Sequence, residues 1–287
     1  MARPLRIEYP GAFYHVTSRG NEQKDVFKSR KDREQFLSYL ASATERYGAV
    51  VHVYCLMSNH YHLLLETPAG NLAQIMRHIN GAYTTYYNVK RKRAGHLFQG
   101  RYKAILVEAD SYAAELSRYI HLNPVRVGMV ARAEDYEWSS YRQYIGLTTS
   151  PAWLKTNFIL GYFGGTDAER AYQQFVSDAL GQERESPMQK VVAATILGSP
   201  AFVRAISRQH LAERQPDRHV PAVKRLNRPT LDGIIAAIER EMGTDDRLTR
   251  NVNIYFCHRY SGARLREIGE RFGLSDAAVS QASRMFP

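Results

Sequence analysis

The first 125 or so residues switch repeatedly between the two-residue period of a β-strand and the 3.6-residue period of an α-helix. Strand-like alternation spans Ala12–Arg19, and helical spacing follows over Ser29–Tyr47, with Ser29 or Asp32 as the N-cap and Gly48 at the end. Further strands are predicted at Ala49–Met57, His60–Thr67 and Leu97–Val107, and further helices at Leu72–Tyr87 and Ser111–Leu122. The order β-α-β-β-α-β-α predicts an α+β fold in which helices cover a mainly antiparallel sheet.

The rest of the chain divides less sharply. Glu134–Ile145 carries Trp138 and three tyrosines, and we expect it to pack back on the α+β unit. Residues 152–212 are predicted to be helical, and Arg214–Pro229 is rich in proline, arginine and lysine, as linkers often are. The sequence therefore predicts an α+β domain over 1–147, a helical connector and basic linker over 148–222, and an all-α C-terminal domain over 223–287.

The charge of the chain indicates the class of partner, and its cysteine content limits the kinds of site that it can form. The 287 residues include 39 Lys and Arg against 28 Asp and Glu, a formal charge of +11. This excess favours phosphate-bearing partners, nucleic acid first, although a plain basic surface is the alternative. Cys55 and Cys257 are the only cysteines, which excludes a disulfide framework and a cysteine zinc site. No apolar stretch approaches the ~20 residues of a membrane span, so we expect a cytoplasmic protein without a membrane partner.

His60 and His62 are separated by one residue on a predicted strand, so their side chains emerge on the same face. Their separation of ~6.6 Å along the strand allows both imidazoles to converge on one cation. Glu66 shares that face but lies ~20 Å from His60 along an extended chain, too far to bind the same ion. The alternative is a pair of ordinary core or surface histidines.

The predicted helix that ends near Asn123 offers further ligands. Tyr119 and Asn123 are four residues apart and therefore share one helix face, whereas His121 points elsewhere. This face could bring a phenol and an amide oxygen to one ion. Alternatively, Tyr119 is a core aromatic and Asn123 ends the helix before Pro124.

Four segments occur in an order that resembles the one-tyrosine HUH transposases and, more narrowly, the REP-associated tyrosine transposases. They are Phe13–Asn21, Met57–Leu63, Phe98–Lys103 and Arg118–Arg126. HUH denotes two histidines around a bulky residue, which is His60-Tyr61-His62 in this chain. The resemblance spans roughly residues 5–147.

This resemblance implies an HUH endonuclease fold, ferredoxin-like, and a divalent cation, Mg²⁺ or Mn²⁺, with His60, His62 and Asn123 as ligands. It also implies that Tyr119 attacks a DNA phosphate, which leaves a 5′-phosphotyrosine and a free 3′-hydroxyl. The implied substrate is single-stranded or hairpin DNA of repetitive extragenic palindromes in the bacterial nucleoid, bound by a monomer or a homodimer. Because Asn123 precedes Pro124, we expect its backbone to leave the helical conformation.

Basic residues in or near these segments are candidates for contacts with single-stranded DNA. They are Arg19, Arg77, Arg101, Lys103 and Arg126. Each could instead be a solvated surface charge.

The C-terminal segment Leu265–Ser280 is predicted to form a helix, a turn at Gly273 and a second helix capped by Ser275. It resembles the helix-turn-helix of the bacterial replication initiator's duplex-binding domain, and a generic helical hairpin is the alternative. If the motif binds DNA, flanking duplex becomes a further partner. The polar candidates for groove contacts are Ser275, Asp276, Ser280 and Gln281.

The leading hypothesis is thus a transposase-type enzyme that cleaves and rejoins DNA strands. A protein that binds such hairpins and regulates them without productive catalysis is the second hypothesis. A phosphodiesterase that uses metal-bound water is the third, and it would not require Tyr119.

Overall fold

The computed structural model describes residues 5–181, 185–211, 221–226, 228–243 and 247–283. The chain divides into two compact units, Arg6–Phe202 and a smaller one of Met1–Leu5 with Val203–Pro287. Of the predicted linker Arg214–Pro229, residues 214–220 and 227 lie outside the described residues. None of the described helices is long and apolar enough to cross a membrane.

The larger unit is built on a sheet with the strand order β2-β3-β1-β4-β6-β5. Its strands are β1 (Ala12–Arg19), β2 (Val50–Leu56), β3 (His60–Thr67), β4 (Lys103–Val107), β5 (Val191–Val192) and β6 (Ile196–Leu197). All neighbouring strands are antiparallel except β4 and β6, which are parallel. The predicted α+β class and mainly antiparallel sheet are confirmed.

Seven helices belong to this unit in the described residues. They are α1 (Arg30–Tyr47), α2 (Leu72–Lys90), α3 (Ala109–His121), α4 (Asn123–Arg126), α5 (Tyr141–Tyr144), α6 (Asn157–Leu160) and α7 (Ala168–Ser177). α1 begins and ends where its sequence predicts. The Ser29 side chain accepts a hydrogen bond from the backbone N–H of Asp32, and Gly48 adopts the left-handed conformation at the C-terminal end.

The two faces of the sheet are covered by different helices. On one face, Tyr61 of β3 packs with its ring centroid 4.7 Å from that of Phe36 in α1 and donates a 2.6 Å hydrogen bond to Asn80 in α2. On the other face, Leu116 of α3 joins the same buried cluster as Leu64 of β3. Because His60 and His62 alternate with Tyr61, they belong to the face that α3 covers.

Residues beyond α3 complete the second face. Their buried members in the described residues include Ala133, Tyr136, Tyr141, Tyr144, Ile159, Tyr172 and Val176. As the sequence predicts for Glu134–Ile145, this segment packs back on the sheet, and the backbone N–H of Leu56 donates to the Trp138 carbonyl at 2.8 Å. This contact and the pairing of Val51 with Leu154 cover the outer edge of β2.

Two sequence predictions need correction. The predicted strand Leu97–Val107 is a strand only over Lys103–Val107, because Gly100 has a positive φ of 68° and turns the preceding residues into a loop. Residues 152–212 are not wholly helical, since they also contain β5 and β6, which extend the sheet beside β4.

The smaller unit is helical, as predicted for the C-terminal region. α8 (Pro200–Leu211) leads into this unit, followed by α9 (Pro221–Leu226), α10 (Leu231–Met242), α11 (Arg247–Tyr260), α12 (Leu265–Phe272) and α13 (Asp276–Ala282). α12 and α13 form a helix-turn-helix around buried Ile268 and Val279. Gly273 has a φ of 64°, and a Cβ on Gly269 would lie 2.4 Å from the Leu274 carbonyl oxygen, so both glycines are needed for this close turn.

Candidate functional site

The site begins with β3, which carries His60 and His62 on one face. In the register with β1, His62 pairs with Thr17 and His60 pairs with Arg19. The ring centroids of the two histidines are 5.0 Å apart. The two imidazole rings therefore lie close enough to converge on one cation, as the sequence predicts.

Burial keeps both rings neutral. Burial and, to a smaller extent, the nearby positive charge of Arg19 together lower the pKa of His60 to about 4. Burial also lowers the pKa of His62 well below its ordinary value, with the positive forms of His15 and His60 acting in the same direction. A neutral imidazole keeps one nitrogen lone pair, which is the state that binds a metal.

The hydrogen bonds of both rings are made by their Nδ1 atoms. His60 Nδ1 donates to Asn59 Oδ1 at 2.6 Å, and His62 Nδ1 lies 2.9 Å from His15 Nε2. His62 Nε2 is buried and has no hydrogen-bond partner among the described residues. A buried nitrogen without a partner is costly in an empty site, so this pair of rings fits a divalent cation.

Tyr119 lies beside these histidines on α3. Its ring centroid is 6.1 Å from that of His62 and 6.3 Å from that of His15, edge-on in both cases. The guanidinium carbon of exposed Arg126 lies 4.8 Å from the Tyr119 ring centroid. The structure thus brings the predicted nucleophile and histidines together and adds a cation to the tyrosine ring.

Asn123 departs from one expectation. It does not leave the helical conformation but begins α4, in which Pro124 occupies one of the first helical positions. Proline is accepted there because its missing N–H would have no intrahelical partner. The Asn123 Nδ2 donates to the carbonyls of Tyr119 at 2.9 Å and Ile120 at 3.4 Å, so these bonds do not occupy Oδ1, the predicted ligand atom.

Carboxylates do not complete the site. Within the ranges that the structure describes, no group of three or more His, Cys, Asp or Glu side chains could hold a metal ion. Glu66, set aside on distance from the sequence, bonds to His52 at 3.1 Å instead. The structure therefore adds no ligand of these residue types to His60 and His62, and Asn123 stays the predicted third ligand.

His15 is a site residue that the sequence analysis missed. It is 3 % exposed, contacts His62 through its Nε2, and lies against the Tyr119 ring. Strand alternation in Ala12–Arg19 places His15 and Arg19 on one face, which was the available signal. The missing information was that β1 is the neighbour of β3.

The five basic residues predicted to contact single-stranded DNA lie in different parts of the larger unit. Arg19 and Lys103 belong to the histidine face, because Arg19 pairs with His60 and Lys103 pairs with Thr17, the partner of His62. Arg126 lies at Tyr119, and exposed Arg101 belongs to the loop before β4. Exposed Arg77 belongs to α2, which covers the opposite face, so the structure does not bring it to the site.

The C-terminal candidates lie in the smaller unit, at the start and along the exposed side of α13. Asp276 and Gln281 are exposed, and Ser280 is half-buried. The Ser275 hydroxyl, as the N-cap of α13, already accepts a hydrogen bond from the Ala278 N–H at 3.3 Å. The resemblance to the replication initiator stays a prediction.

Comparison with known proteins finds a family match within the larger unit. Residues 9–123 match the sequence model of the family described as Transposase IS200 like. Over this range the chain is similar to the IS200-like transposases. The matched range includes His60, His62 and Tyr119 and ends at Asn123, and it confirms the predicted transposase family and enzyme class.

Solved structures give weaker similarities than the family match, and no curated protein matches. Among solved structures, a REP-associated tyrosine transposase bound to a REP hairpin is 14 % identical, with a TM-score of 0.45 over 54 % of this chain and 92 % of that one. A protein of Deinococcus radiodurans R1 described as a transposase is 18 % identical, with a TM-score of 0.30 over 41 % and 95 %.

Proposed function

We propose that this transposase domain cleaves and rejoins single-stranded or hairpin DNA through a 5′-phosphotyrosine on Tyr119. The observation that carries the proposal is the placement of the Tyr119 ring 6.1 Å from that of His62 on a face with two neutral histidines. Repetitive extragenic palindromes are the proposed substrate class, on the strength of the resemblance in the four sequence segments. A monomer or a homodimer is compatible with one tyrosine per site.

His60 Nε2, His62 Nε2 and Asn123 Oδ1 are the proposed ligands of Mg²⁺ or Mn²⁺. A bound divalent cation supplies Lewis-acid stabilisation of the charge that develops on the phosphate oxygens. Two neutral imidazoles and an amide oxygen suit Mn²⁺ and tolerate Mg²⁺. The short hydrogen bond of His60 Nδ1 to Asn59 fixes the tautomer that presents Nε2.

In the proposed reaction, Tyr119 Oη forms a bond to the phosphorus while the bond from phosphorus to the 3′-oxygen of the preceding nucleotide breaks. The phenolic proton passes to solvent, and the departing 3′-oxygen takes up a proton. Arg126, over the Tyr119 ring, adds positive charge where the phosphate must approach. Attack by another 3′-hydroxyl reverses the reaction and joins strands without an energy-rich cofactor.

We propose that single-stranded DNA binds across the histidine face, where basic side chains are exposed. Arg19 and Lys103 flank the two histidines and are both exposed, so they can contact phosphates on either side of the scissile bond. Arg101 and Arg126 are the further candidates on this path. Arg77 is proposed only as a contact for more distant parts of the DNA, since it lies on α2.

The helix-turn-helix of the smaller unit is proposed to bind flanking duplex. Its exposed polar side chains on α13, Asp276 and Gln281, are the main candidates for groove contacts, and Ser280 is a further one. Ser275 is proposed to act through its helix-capping role, because its hydroxyl is occupied by the Ala278 N–H.

Tyr119→Phe tests the function. We expect this variant to bind a labelled hairpin like wild type but to form no covalent adduct on denaturing gels with Mn²⁺ present. Tyr112→Phe on the same helix is the matched control and should retain the adduct. Cleavage by Tyr119→Phe would favour metal-bound water as the nucleophile, and a wild type that binds hairpins without cleaving them would favour the regulatory alternative.

A further inference from the structure

The contact between His15 and His62 joins two buried imidazoles from neighbouring strands. The His15 Nε2 and His62 Nδ1 atoms are 2.9 Å apart, and the ring planes are within 8° of parallel. This is a hydrogen-bond distance, so one of the two nitrogens carries the proton and the other accepts it.

The position of that proton decides what His62 can bind. If His62 Nδ1–H donates to His15 Nε2, the His62 Nε2 atom keeps its lone pair. If His15 Nε2–H donates instead, neutral His62 carries its proton on Nε2 and cannot ligate a cation there. A histidine that ligates a metal generally donates its other ring N–H to a partner that fixes the tautomer and the ring orientation.

Packing alone does not account for a histidine at position 15. Its Nδ1 is buried and has no hydrogen-bond partner among the described residues. An apolar ring would fill the same space without burying an unpaired polar atom, which costs free energy. The Nε2 contact with His62 is therefore the feature that requires an imidazole or an equivalent acceptor.

We propose that His15 is a positioning residue, which accepts the His62 Nδ1–H and thereby holds the His62 Nε2 lone pair toward a divalent cation. The proposal rests on the metal site of the proposed function, but not on the chemistry of Tyr119. It assigns to β1 an indirect part in metal binding, through His62, although β1 supplies no ligand.

The wild-type chain gives the first test. In the full-length protein with ¹⁵N-labelled histidines, long-range nitrogen–proton NMR spectra distinguish protonated from unprotonated ring nitrogens. We expect His62 to carry its proton on Nδ1 before any metal is added. Protonation of His62 on Nε2, with His15 donating, would overturn the proposal without any substitution being made.

Substitution at position 15 gives the second test. His15→Phe keeps a ring but removes the acceptor, so we expect Mn²⁺ affinity by calorimetry to fall about 10- to 100-fold. His15→Gln, whose Oε1 can reach the place of Nε2, should restore most of it. His52→Gln is the control, because this buried histidine bonds to Glu66 rather than to the site, and it should leave Mn²⁺ affinity unchanged.

The results that would refute the role of His15 differ from those that would refute the proposed function. Unchanged Mn²⁺ affinity in a folded His15→Phe protein, or no Mn²⁺ binding by wild type, would overturn this inference. If His15→Phe does not fold, an affinity of His15→Gln as low as that of His60→Ala would do the same. A chain that binds Mn²⁺ in a His15-dependent manner but forms no Tyr119 adduct would refute the proposed function and leave the role of His15 intact.

Discussion

Tyr172→Phe should destabilise the larger unit although it lies outside the family-matched range. The Tyr172 hydroxyl is fully buried and contacts His121 Nδ1 at 2.7 Å and Ser117 Oγ at 2.9 Å. Both partners belong to α3, the helix of Tyr119. Burial lowers the pKa of His121 to about 3, so this histidine is neutral and depends on its two hydrogen-bond partners.

The size of the effect follows from what the substitution leaves behind. Ser117 Oγ keeps a second bond to the Ala114 carbonyl, whereas His121 Nδ1 loses its partner. A buried polar atom left unpaired costs about 1 to 3 kcal/mol, and we expect about 2 kcal/mol here. For a unit of this size, that corresponds to a fall in Tm of roughly 4 to 8 °C.

Tryptophan fluorescence is a suitable assay, because both tryptophans of the chain, Trp138 and Trp153, lie in the larger unit. Tyr162→Phe is the matched control, since its exposed hydroxyl makes a 3.3 Å bond to the Ala109 carbonyl and should change stability by less than ~0.5 kcal/mol. Adduct formation at a temperature well below Tm should persist in both variants. Equal unfolding curves for Tyr172→Phe and wild type would refute the coupling of this hydroxyl to α3.

Three further predictions concern pH, salt and duplex. Because burial lowers the folded pKa of His121 to about 3, protonation of this residue in the unfolded chain below about pH 6.5 should by itself lower the stability by up to about 1.4 kcal/mol per pH unit down to about pH 3, and buried His60 and His62 should add losses of the same sign. Urea unfolding between pH 7.5 and 5 measures the combined loss, and a flat profile contradicts it. Arg19→Gln or Lys103→Gln should reduce the slope of log affinity for single-stranded DNA against log salt concentration by about 0.7, and Arg77→Gln should leave it unchanged. The opposite result would show that the DNA strand does not follow the histidine face. Gln281→Ala should weaken duplex binding by about 1 to 3 kcal/mol and leave the affinity for single-stranded DNA unchanged. Equal duplex affinity of the variant and wild type in a gel-shift titration would show that Gln281 makes no groove contact.

Local signals in the sequence sufficed for much of the fold. β1 has the predicted bounds, and α1 lies between the predicted cap at Ser29 and the glycine at position 48. Such limits depend on neighbouring residues only, so periodicity and capping chemistry reveal them. The same holds for the shared face of His60 and His62.

Features that depend on distant residues were not predictable in this way. The His15 contact joins residues 47 positions apart, and strand alternation gives a face but not a neighbouring strand. β5 and β6 have two residues each, too few for any period, and they become strands only because β4 offers an open edge. The error at Asn123 has a different origin: the rule for residues before proline was applied, although Pro124 opens a new helical turn.

The geometry of the site depends on residues well beyond its own motifs. α3 presents Tyr119 to the histidines, and His121, two residues later, is held by Tyr172 and by a 2.8 Å contact with Ser140. A shift of about 1 Å in a catalytic group can cost about 100-fold in rate, so in the proposed reaction the contacts behind α3 would contribute to the placement of Tyr119 as well as to stability. The predicted domain boundary at residue 147 stays a prediction, but a chain cut there would leave His121 Nδ1 without its partner and remove Ile159 from the core beside α3. A fragment that keeps these contacts would therefore extend at least through α7, beyond the family-matched range.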